Sequence, residues 1–184
     1  MLTLPQLMEI EHHLASLPVL VDEYQSHHYN FQEHAMDWLT GLETILSQSL
    51  PYLVPEISIL RVEITLSISA REFDKHRNNP SISKHKRRVD ATADAVRKAG
   101  ERVVNAIKGI QEILQSGEQI ARQIAAIAQI KGIGIQSPRD WNAALAAWDR
   151  ISADTDLISV AIHLVGLVGR SNAILLYINA SDTV

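Results

Sequence analysis

Ser83–Gln129, SKHKRRVDATADAVRKAGERVVNAIKGIQEILQSGEQIARQIAAIAQ, decides the fold class. Val89, Ala93, Val96, Gly100, Val103, Ile107, Ile110, Leu114, Gly117, Ile120 or Ala121, Ile124 and Ala128 recur at threes and fours. That spacing draws one apolar edge along a helix. Held over more than three heptads, it predicts a coiled-coil-like seam, inside a bundle or across a dimer. Val96, Val103, Ile107, Ile110, Leu114 and Ile124 are its candidate interface residues. Gly117 is a candidate break into two helices, and Lys131-Gly-Ile-Gly-Ile135 supplies glycines to end the run.

Working outward, the same periodicity appears on both sides. Across Leu17–Leu50, the positions Val21, Tyr24, Phe31, Ala35, Trp38, Leu42, Ile45 and Leu46 mark one face of a single long helix. Ser16 is its expected N-cap and Pro18 sits near the first turn. A short helix over about 5–15 precedes it. Glu56–His76 contains EISILRVEITLSISA, whose β-branched residues have strand propensity. A long strand without a partner is out of place in a helical chain, so this stretch is read as helix. Ser137-Pro138 opens a helix with Trp141, Leu145, Trp148 and Ile151 on one stripe. Asp154 or Thr155 caps a final helix over 155–179. The prolines fall between these segments. The expectation is all-α: an antiparallel helical bundle of five to seven helices, two of them long, in one domain spanning 1–184.

Charge is distributed unevenly. The first 60 residues hold eight carboxylates and no Lys or Arg, whereas 61–102 hold eleven Lys or Arg against six acids. Such asymmetry bears on partners and docking rather than on fold. Hydrophobic residues at 46% with 21% charged place the chain among ordinary globular proteins. The absence of Cys excludes disulfides and thiolate metal sites and fits a reducing compartment. The N-terminus lacks a basic, then apolar, leader pattern, and no run of 18 apolar residues occurs. A cytoplasmic location is expected.

The basic residues concentrate in 71–88, REFDKHRNNPSISKHKRR. Asn78-Asn79-Pro80 is a turn signal, so the flanking helix ends meet there. Arg71, Lys75 and Arg77 follow local electrostatics, because cations near a helix C-terminus favour its dipole by about 0.3–1 kcal/mol each. Lys84, Lys86, Arg87 and Arg88 violate it. They occupy the first turns of the next helix, where a capping box would want Glu or Gln. A helix start already offers free N–H groups to anions, so these seven residues form a candidate anion- or partner-binding site. Internal pairing with the acidic N-terminal helices is the competing explanation. Nucleic acid is not the automatic ligand, since the pI is near 6.0 and no aromatic residues interleave the cluster beyond Phe73.

Histidines gather in the acidic third: His12, His13, His27, His28 and His34, beside Glu9, Glu11 and Glu33. Glu9-x-x-His12 has the spacing of a bundle metal motif, but no second such pair exists to complete a di-iron set. On a helix, adjacent histidines point apart, so no more than one of each pair can serve one site. No metal site and no cofactor are assigned on this basis; protonation near pH 6 would weaken the negative field of this region. Gly-rich phosphate loops, nucleophile elbows and zinc-protease helix motifs are absent.

Arg71 followed five residues later by His76 resembles the loose arginine–histidine motif of HEPN-type helical ribonucleases. That resemblance implies Arg71 and His76 acting on an RNA phosphodiester across a dimer. Glu72 stands where that family often has a polar amide.

Leu157–Gly169, LISVAIHLVGLVG, carries no charge but is too short to span a bilayer. Apolar all round, it is expected at the centre of the bundle. Together these features predict a non-enzymatic interaction or assembly module whose partner is a protein or a second copy. The acidic and basic segments would allow head-to-tail self-assembly. The alternatives are a nucleic-acid-associated subunit of a larger complex, a membrane-active helical effector and the HEPN-like ribonuclease.

Overall fold

The computed structural model describes residues 2–74, 82–134 and 141–182, without the side chains of 67–74, 82–85 and 87. Every regular element in them is helical. The order is α1 (Leu4–Leu14), α2 (Leu17–Gln25), α3 (Phe31–Ser49), a 3-10 turn (Pro51–Leu53), α4 (Val54–Asp74), α5 (Ile82–Ile130), α6 (Trp141–Ala153), α7 (Ile158–Val168) and α8 (Arg170–Ser181). The chain is therefore all-α. It packs as two compact units, one comprising 4–107 and the other 108–184. No single helix among the described residues is long and apolar enough to cross a membrane.

α5 is continuous over 49 residues. Gly117 does not break it; instead the missing side chain lets α7 and α8 approach. A Cβ there would lie 2.7 Å from Val168 Cγ1, 3.1 Å from Leu176 Cδ1 and 3.3 Å from Leu164 Cδ1. Of the seam residues, Val96, Val103 and Ile107 are buried in the first unit, and Leu114 and Ile124 in the second. Ile110 is half-buried. The helix ends on Gly132, φ 67°, whose N–H reaches Gln129 O while Ile133 N–H reaches Ala128 O, both at 3.0 Å. That is a Schellman ending.

In the first unit, the single helix expected over 17–50 is two. The break lies at Ser26–Asn30 and has the same bond pattern: His27 N–H to Tyr24 O, 3.2 Å, and His28 N–H to Glu23 O, 2.9 Å. His27 takes the left-handed position, φ 56°, that glycine usually fills. Ser16 precedes α2 but makes no side-chain cap. Its hydroxyl donates to His13 O and accepts from Trp38 Nε1 at 3.1 Å, so it fastens the α1–α2 corner to α3. The His13 ring stacks on Trp38 at 5.1 Å.

α4 is helical despite its β-branched residues. Ile57, Leu60 and Ile64 are buried at helical spacing, and tertiary packing of that face outweighs a weak strand propensity. Arg61 reaches Glu43 of α3 at 3.1 Å, and Arg102 of α5 reaches Glu56 at 3.4 Å.

In the second unit, the helix expected over 155–179 is also two, bent by 116° at Gly169, φ 82°. α8, not the LISVAIHLVGLVG segment, is the buried one. Asn172, Ala173, Ile174, Leu176, Tyr177 and Ala180 are all buried, and Tyr177 packs on Trp148 of α6 at 5.9 Å. α7 buries Ala161, Leu164 and Val168 but leaves Ile162 65% exposed. On α6 the buried stripe is Ala144, Ala147, Trp148 and Ile151. Trp141 is exposed and Leu145 half-buried, because the small alanines permit the closer approach. The start expected at Ser137-Pro138 lies outside the described residues. Asp154 Oδ1 accepts the N–H groups of Asp156 and Leu157, capping the turn into α7. Lys131 Nζ bridges Asp154 (2.7 Å) and Asp156 (2.6 Å), holding the Asp154 carboxyl below the usual carboxylate range.

The α5 glycines and the Asp154 cap make this packing testable. A Cβ at Gly109 would meet nothing within 4 Å, so Gly109→Ala should stabilise by about 0.5–1 kcal/mol through helix propensity. Gly117→Ala should show no such gain, and Gly117→Val should destabilise by about 1–3 kcal/mol through overpacking. Urea midpoints decide; an equal gain at both glycines would remove the α5–α7–α8 contact. Asp154, with its pKa lowered on folding, contributes stability above its ordinary 3.8 that is lost as pH falls through the folded value. Asp154→Asn should therefore lower Tm at neutral pH, with the difference from wild type shrinking as the solution is acidified. A difference independent of pH would remove the ion pair as its source, since Asn keeps the accepting oxygen.

Candidate functional site

The basic cluster of the sequence is only partly described. Lys75, His76, Arg77 and the Asn78-Asn79-Pro80 turn lie outside the described residues. Arg71 is in α4, and Lys84 and Arg87 are in the first turns of α5, but their side chains are outside the description. Lys86 is exposed and Arg88 half-buried. The arginine–histidine pair of the ribonuclease resemblance, Arg71 and His76, thus has no described side-chain geometry.

Among the described residues of the first unit, two apolar surfaces facing water stand out. α4 carries a second stripe, Ile59, Val62 and Leu66, which are 58%, 51% and 64% exposed. Each lies two residues, about 200° around the helix, from a member of the buried stripe Ile57, Leu60 and Ile64. Its spacing of three then four is that of a helix-pairing edge. Glu56 and Glu63 flank it. The other surface is a trough of about 390 Å³ between α2 and α5, lined by Leu17, Leu20, Val21, Val96, Gly100 and Val104 among others. Gly100 permits it: a Cβ there would lie 2.9 Å from Leu17 Cδ1.

The histidines of the acidic third separate into different roles. His12 is exposed, and His13 is occupied by Trp38, with Nε2 2.9 Å from the Trp38 carbonyl. At the α2–α3 break, Glu23, His28 and His34 converge, each offering one donor atom within 4.8 Å of the others. His34 Nδ1 lies 2.8 Å and 2.9 Å from the two Glu23 oxygens. The His28 ring stacks on His34 at 5.9 Å and on Tyr29 at 4.9 Å. Asn30 N–H makes a long 3.4 Å contact to His28 Nδ1.

Glu23 and His28 also line a cavity of about 570 Å³, walled by Tyr24, Gln32, Lys86 and Asp90. Tyr24 donates to Asp90 at 2.8 Å, and this hydrogen bond raises the Tyr24 phenol above its ordinary 10.0. Gln32 Nε2 donates to Thr92 Oγ1 at 3.3 Å, tying α3 to α5 beside the cavity.

Reading 17–50 as one helix hides this group. On an uninterrupted helix, Glu23 and His34 stand eleven residues and about 16 Å apart. The signal available in the sequence is Ser26-His-His-Tyr-Asn30, a polar run without a helix-period apolar residue. The carboxylate that completes the group, Glu23, is not among those the sequence places beside the histidines. No family model, curated protein or solved structure matches the chain, so its function is argued from these surfaces alone.

Proposed function

We propose that this chain is a non-enzymatic assembly module that pairs with a second copy of itself along α4. The observation that carries the reading is the outer stripe Ile59, Val62 and Leu66: three large apolar side chains, each more than half exposed, at helix-pairing spacing. The seam residues of α5 are not available for this role, because most are buried within the chain itself.

Charge selects the second copy and its direction. The stripe straddles the point where the sequence changes sign, with no Lys or Arg before Arg61 and a basic excess after it. Two copies aligned antiparallel about Val62 set Glu56 of each toward the Arg71 end of α4 in the other. A parallel pair would set Glu56 against Glu56 and Glu63 against Glu63. The antiparallel arrangement is two-fold and closes as a dimer, whereas the head-to-tail contact continues into rings or filaments. Lys84, Lys86, Arg87 and Arg88, together with Arg71, Lys75 and Arg77, are the anion-docking element of this reading.

Magnitude sets the expected strength. Completing the burial of a half-exposed Ile, Val or Leu yields about 1 kcal/mol, so six such side chains yield about 6 kcal/mol. Lost rigid-body freedom costs about 4–15 kcal/mol. Association through the stripe alone is therefore weak, and the charge pairing gives it both strength and salt sensitivity.

Light scattering at several protein concentrations, at low and high salt, tests this. Wild type should dimerise at high micromolar concentration and low salt. Ile59→Ser/Val62→Ser/Leu66→Ser should be monomeric without loss of helicity, since the stripe is exposed. Lys84→Glu/Lys86→Glu/Arg87→Glu/Arg88→Glu should lose the salt-sensitive part. A wild-type monomer under all conditions would overturn self-assembly. Salt-dependent retention of polynucleotide or anionic liposomes by that monomer would turn the basic segment toward nucleic acid or lipid.

A further inference from the structure

The α2–α3 corner assembles a donor set that the assembly reading does not use. We infer that Glu23, His28 and His34 bind one divalent d-block cation, zinc by ligand preference, with an open coordination position toward the neighbouring cavity. Two imidazoles and a carboxylate make a nitrogen-rich set that suits zinc, cobalt or nickel rather than magnesium or calcium. Three protein ligands leave room for water or a small anion in the fourth position.

The geometry is close to what such an ion requires. Bonds of about 2.0–2.1 Å in a tetrahedral shell place ligand atoms about 3.4 Å apart. Glu23 and His34 are already nearer than that, at 2.8 Å, joined by a hydrogen bond whose proton the ion replaces. The remaining gap, at most 4.8 Å, involves His28, which is exposed and whose ring, among the described residues, makes stacking contacts and a 3.4 Å contact to Asn30 N–H. A rotation of that ring closes the shell without moving a helix.

The backbone also prepares the position. The left-handed His27 turns the chain so that His28 comes back over Glu23, and the His28 N–H bond to Glu23 O fixes that return. Glu23 is the less exposed of the two, its side chain 18% exposed against 41% for His34, which favours an ion partly shielded from water. Lys86 and Asp90 face the cavity from α5 with opposite charges, so that wall neither repels nor neutralises a cation outright.

Calorimetric titration of the tag-free chain with Zn²⁺, repeated with Co²⁺ for its visible spectrum, tests the site. Wild type should take up one equivalent saturably, with a cobalt spectrum of low coordination number. His28→Ala and Glu23→Gln should each weaken uptake by at least about ten-fold, the scale on which even outer-shell partners matter. His28 is exposed, so His28→Ala should retain wild-type helicity and Tm without metal. His12→Gln and His163→Gln, exposed histidines elsewhere, should bind as wild type does. The α4-stripe variant should also bind normally, separating this inference from self-assembly. Uptake that is unsaturable, unchanged in His28→Ala, or lost in the His12 or His163 variants would overturn the site as adventitious surface binding.

Discussion

The apolar edge of α5 is the constraint on which the remaining structure depends. A 49-residue helix with one apolar face is stable in water only when other elements cover that face. In the first unit the covering elements are tied to it by named contacts: Leu17 over Gly100, Tyr24 to Asp90, Gln32 to Thr92, and Glu56 to Arg102. In the second, Leu164 and Val168 of α7 and Leu176 of α8 close over Gly117. Small residues on the edge set how near each neighbour comes. Gly100 and Gly117 lie where a heptad pattern would accept a large side chain, and both are positions of close approach.

α4 shows how one helix can serve two surfaces. Its Ile57, Leu60 and Ile64 are consumed by the core, while Ile59, Val62 and Leu66 remain outside. The same doubling explains why the segment reads ambiguously as sequence. Apolar residues on opposite sides of a helix imitate the alternation of a strand. What distinguishes the two is the buried set at threes and fours.

Much of the fold was legible. The all-α class, the extent of α5, the helical nature of Glu56–His76 as far as Asp74, and the glycine ending at Gly132 follow from periodicity and cap chemistry. The two missed breaks have separate physical causes. Ser26–Asn30 ends a helix with His27 in the place of glycine, so the usual composition signal is missing. Gly169 sits inside an apolar run, where glycine alone does not distinguish a tolerated helix residue from a bend. The group of Glu23, His28 and His34 was hidden by the first of these. Its three side chains come together only because the chain turns between Glu23 and His34.

By itself, the sequence determined periodicity, charge order and the absence of thiol chemistry, because these are properties of neighbouring residues along one chain. It could place an acidic segment before a basic one and an apolar edge along a helix. Tertiary structure decided which apolar edges are spent on the core and which face water, and whether scattered histidines meet. It assigned the α5 seam and α8 to burial, and left one stripe of α4 and one face of α7 outside. The physical reason is that burial and convergence depend on which distant helices pack together. Two stripes of equal hydrophobicity on the same helix carry no local mark of which one a neighbour will cover.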